Sequence, residues 1–150
     1  MDESAYRFAR GDINREPCVF EKALLARCAV CELEVRHALA ERETVACSNP
    51  EARRQCARLK EMLREKSAFA LKLTDPHALL PHAAMMRIQC GGLAGLKNVL
   101  DGDAPAPSIR RLVMLARQQP GGMEELPWSR IVQGVSAWKI RKRHGPKGES

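Results

Sequence analysis

Cys18, Cys28, Cys31, Cys47, Cys56 and Cys90 are the side chains of this 150-residue chain best suited to chemistry. A thiolate is at once a nucleophile, a redox group and a soft metal ligand. The intervals between them are nine, two, fifteen, eight and thirty-three residues, and no cysteine follows position 90. A reducing compartment does not reward so many thiols with disulfides, so metal ligation is the leading reading and burial as small hydrophobes the plain alternative.

Cys28 and Cys31 form a Cys-x-x-Cys pair, a spacing that offers two thiolates to one centre. Position 32 is Glu rather than His, which excludes a c-type haem attachment motif. Cys47 and Cys56 follow closely, and Cys90 abuts Gly91-Gly92, whose amides can approach a cluster sulfur. Four of these six cysteines are expected to bind an iron–sulfur cluster of the 4Fe–4S type, for electron transfer, cluster handling or redox sensing. Zinc is the alternative. The uneven intervals favour an all-thiolate cluster over zinc, whose sites more often read as two compact pairs. Arg27, Arg36 and Arg53 are the expected counter-charges.

The remaining candidates are weaker. His82 and Met86 are i, i+4 neighbours beside Met85 and His77, a mixed set for haem or copper, but methionines at that spacing usually fill a core. His37 reads as a surface residue that could complete a Cys₃His site. No Ser-His-Asp order, carboxylate pair or phosphate loop is present, so any enzymatic role would come through the thiols.

The elements that must position the thiols read as helical. Apolar residues make up 45% of the chain but aromatics only 4%, which leaves Ala, Leu, Val and Met to build the core. Leu24, Cys28, Cys31, Val35 and Leu39 recur at helical spacing from Pro17 to about residue 44. Ser48-Asn49-Pro50-Glu51 starts a second helix running to about Leu73, with Ala52, Cys56, Leu59, Leu63 and Ala70 inward. Shorter helices are expected from Pro81 to Cys90, stopped by Gly91-Gly92, and over 93–100, 108–119 and 127–142. The expectation is an all-α, single-domain bundle of five or six helices built around an N-terminal helical hairpin. A flexible arm occupies 1–16 and a helical domain 17–143, Cys-rich over 17–92 and Cys-free over 93–143. A disordered basic tail spans 144–150.

A straight helix would separate Cys31 from Cys47 by about 24 Å, far beyond shared ligation. A four-cysteine site therefore demands a break near residues 28–33, or Cys90 folded over the hairpin.

More than half of the net charge of +7 gathers at the end, in Lys139, Arg141, Lys142, Arg143 and Lys147 with one Glu among them. Such a cluster suits an acidic protein partner, and attracts nucleic acid only through phosphates and without sequence preference. A helical adaptor docking through this basic C-terminal helix, zinc-stabilised or metal-free, is the alternative function. No apolar run is long enough to span a bilayer and the first residues are polar, so the expected location is the cytoplasm. The oligomeric state is not legible.

Overall fold

A computed structural model of the chain describes residues 4, 5, 9 and 16–139. The expected arm lies almost wholly outside them. So do the basic tail and the far end of the last helix.

The first expected helix is replaced by a short helix and a β-hairpin. α1 covers only Glu21–Leu25, and Arg27 then takes a left-handed conformation at φ 62° that ends it. β1 (Glu34–Leu39) and β2 (Arg42–Cys47) pair antiparallel, with Val35 opposite Ala46 and Leu39 opposite Arg42. The fold is therefore helix-rich but not all-α, and its N-terminal unit is no helical hairpin. The physical reason lies in β2: Thr44 and Val45 are fully buried β-branched neighbours, and the Glu21 carboxylate accepts from both the Thr44 hydroxyl (2.8 Å) and the Val45 amide (2.7 Å). Ala40 closes the two-residue turn at φ 58°.

α2 (Pro50–Ser67) begins where the sequence says it should. Asn49 caps it by accepting from the Ala52 amide at 3.0 Å, and Pro50 occupies the first turn. Ala52, Cys56, Leu59 and Leu63 face the core, but Ala70 lies beyond the helix and is exposed.

Gly91-Gly92 do not stop the next helix. α3 (His82–Met86) passes through a π-helical turn at Arg87–Gly91 directly into α4 (Gly92–Leu100). Wide turns of this kind recur at functional sites. Inside it Gln89, only 2% exposed, accepts the Ala23 amide at 3.1 Å and so ties α1 to this helix.

α5 (Ile109–Gln118) and α6 (Trp128–Ala137) complete the bundle. Ile109, Leu112 and Val113 of α5 are buried, and so are Trp128, Ile131 and Val135 of α6. The glycines that fail to end the helix serve its packing. A Cβ on Gly91 would stand 2.7 Å from the Gly134 carbonyl oxygen, and one on Gly134 would stand 2.6 Å from that of Gly91. The two backbones touch there, and only glycine fits at both positions.

Gly134→Ala should therefore destabilise the fold by about 1–3 kcal/mol through overpacking. Denaturant unfolding checks this. An unchanged midpoint would show that the crossing is looser than described.

Candidate functional site

Four separate stretches of chain carry the four free cysteines. Cys18 follows Pro17, which bridges to Ala46. Its amide donates to the Val45 carbonyl at 2.9 Å, and the Cys47 amide donates to the Glu16 carbonyl at 3.0 Å. The entering chain thus lies along β2 and brings Cys18 alongside the strand end that carries Cys47. Cys31 sits in the turn between α1 and β1, held by the pairing of Val30 with Ser108 on one side and by its own carbonyl accepting from the Glu34 amide on the other. Glu34 pairs with Cys47, so this turn reaches the same strand end. Cys56 lies in the second turn of α2, 8% exposed, facing inward.

The four thiols act on one another electrostatically. Burial pushes the Cys56 thiol up to about 12, and negative charge on Cys18, Cys31 or Cys47 would push it further, while Arg110 opposes the rise. Burial likewise raises Cys18 to about 11, against the pull of the Phe20 amide, and Cys31 and Cys47 add to the rise. Cys31 is raised by burial and by Cys47, while the amides of Leu33 and Arg110 favour its thiolate. Every pair among the four is thus within electrostatic reach.

Two sulfurs already meet backbone donors. The Phe20 amide donates to Cys18 Sγ at 3.4 Å, and the amides of Leu33 and Arg110 lie where they favour a Cys31 thiolate. Such N–H groups neutralise thiolate charge without supplying a proton. Cys47 Sγ instead donates to the Asn49 carbonyl at 3.3 Å.

Cys28 and Cys90 stand apart from this group. They are joined by a disulfide that ties the turn after α1 to the π-turn, with Cα atoms 5.8 Å apart and a sequence separation of 62. A crosslink closing a loop of that length is worth about 4 kcal/mol on a chain-entropy estimate. The Cys-x-x-Cys pair is divided accordingly, one member in the bond and the other a free thiol. Among the described residues, no group of three or more His, Cys, Asp or Glu is arranged so that it could hold a metal ion.

The expected counter-charges are placed unequally. Arg53 Nε donates to the Pro17 carbonyl at 2.7 Å, beside Cys18. Arg36 is engaged by Glu34, Glu43 and the Leu24 carbonyl, and Arg27 is exposed. The cation acting on Cys56 is Arg110, a residue that sequence reasoning missed and that no local pattern marks. His82 Nδ1 meets Lys22 Nζ at 3.1 Å, Met86 is buried, and His37 lies opposite Thr44 in the hairpin.

No family model, curated protein or solved structure matches the chain.

In chelator-treated protein, Cys18 should alkylate slowly at pH 8, with a rate rising about tenfold per pH unit up to its raised pKa. Mass spectrometry of iodoacetamide adducts measures this, and a plateau below pH 9 would contradict the burial assigned to it. The same sign governs stability. A thiol whose pKa is raised on folding keeps its contribution below the unfolded value near 9 and loses it as pH rises towards 11 and 12.

Proposed function

We propose that this chain is a metal-binding protein in which Cys18, Cys31, Cys47 and Cys56 hold one zinc ion, and that the ion fixes a hairpin-and-helix unit serving as a binding module. What supports this reading is that four free thiols from four chain segments all lie in mutual electrostatic reach. Four thiolates are a full tetrahedral set for zinc, with no ligand left over.

Zinc rather than an iron–sulfur cluster follows from what lies nearby. The uneven intervals that favoured a cluster were counted over all six cysteines, and the Cys28–Cys90 bond removes two of them from ligation. Zinc has no redox chemistry and sits beside a disulfide without exchanging electrons with it. The raised thiols fit a site in which the ion displaces protons on binding, since burial that disfavours a bare thiolate suits one neutralised by a cation.

The module's partner, on this reading, is a protein with an acidic surface, met by the basic residues after Lys139, which lie outside the described residues. No described helix is long and apolar enough to cross a membrane.

Native mass spectrometry of protein purified without chelators tests the reading. One zinc per chain is expected, lost in Cys31→Ser and in Cys56→Ser but retained in Cys90→Ser. Stoichiometric iron with a visible thiolate-to-iron band would replace zinc with the cluster, and a metal-free chain would end both.

A further inference from the structure

Against α2 lies a cleft of about 420 Å³, within the range of small-molecule sites. Val19, Leu80, Met85 and Ile88 supply apolar walls, and Lys60 and Arg64 project from α2 into its lining. Three features of the charged side are unusual. Lys60 is half-buried, and among the described residues it has neither an ion-pair nor a hydrogen-bond partner. The charges acting on it are mostly of its own sign, from Arg64, Arg53 and Lys22, opposed by Cys18 when ionised. Arg64 spends one nitrogen on the carbonyls of Asp75 and Ala78, but its Nε is buried with no partner at all. A buried donor left without an acceptor costs stability unless something else satisfies it.

The acidic group in the lining, Glu61, stays at the rim with its side chain 73% exposed, turned to Arg58 at 3.6 Å. It leaves the cationic interior uncompensated. Gln89 adds an amide to the lining, its oxygen already held by the Ala23 amide.

From this juxtaposition we propose that the cleft between α2, the 76–80 loop and the π-turn binds a small apolar monocarboxylate, its carboxylate on Lys60 and Arg64 and its hydrocarbon body against Leu80, Met85 and Ile88. Arg64 commits only one terminal nitrogen, so its other terminal nitrogen and the Lys60 ammonium can meet the two oxygens of one carboxylate, and the apolar walls suit a hydrocarbon body behind it. A neutral apolar ligand would leave the Lys60 ammonium unpaired, so the head group decides affinity.

Octanoate is the probe, with 1-octanol as its neutral counterpart, titrated into methyl-labelled full-length protein and followed by NMR and calorimetry. One octanoate per chain is expected, shifting the methyls of Leu80, Met85 and Ile88. Octanol should bind at least about tenfold more weakly, in keeping with the loss of one charge-assisted hydrogen bond. Lys60→Met should weaken octanoate to a similar degree, whereas Lys60→Arg should keep it. Equal binding of octanoate and octanol, or shifts confined to other methyls, would overturn the proposal in the wild-type protein alone. A folded Lys60→Met variant with unchanged octanoate affinity would overturn it as well.

Discussion

Two backbone hydrogen bonds, from the Cys18 amide to Val45 and from the Cys47 amide to Glu16, zip the entering chain against β2. Much of the N-terminal half is organised by that seam. It aligns Cys18 with the strand end carrying Cys47, and it places the Pro17 carbonyl where Arg53 of α2 can donate to it. β2 is itself anchored by the Glu21 carboxylate, so α1, the entering chain, the hairpin and α2 share one chain of hydrogen bonds. The four thiols come into electrostatic reach of one another because these backbones meet.

The six cysteines divide into two kinds of constraint. The Cys28–Cys90 bond joins the hairpin unit to the long helix at its π-turn, where Gln89 makes a second tie to α1. The other four lie within the unit and around α2. A metal held by them would fix the unit internally, and the disulfide fixes it to the bundle. Each then acts on a small core with few aromatic side chains, the situation in which a crosslink contributes most.

Much of the helical part was legible in the sequence, and the reasons are local. Asn49-Pro50 is a start signal that needs no tertiary help, and the stripes of α2, α5 and α6 reproduce helical periodicity. The hairpin was not legible. Val35 and Leu39 fit a helical stripe as well as a strand, their neighbours Glu, Arg and Ala are good helix formers, and the turn at Ala40-Glu41 lacks the Gly or Asn that usually betrays one. What overrides the propensity is tertiary: the Glu21 anchor and the edge pairing with residues 16–18. The glycine pair misled for a similar reason. Gly91 serves a crossing with Gly134, more than forty residues away, and reads locally as a terminator. Of the site, the need for a break near 28–33 was legible from length alone, and α1 does end before it. Which two cysteines pair was not, since Cys28 and Cys90 approach only through the packing of α1 on the π-turn.

The central claim is that Cys18, Cys31, Cys47 and Cys56 converge on one zinc ion. X-ray absorption at the zinc edge of the purified full-length protein addresses it most directly. Four sulfur ligands at about 2.3 Å, with no nitrogen or oxygen neighbour, is the predicted first shell. A shell containing nitrogen or oxygen, or a sample whose zinc is substoichiometric, would contradict it.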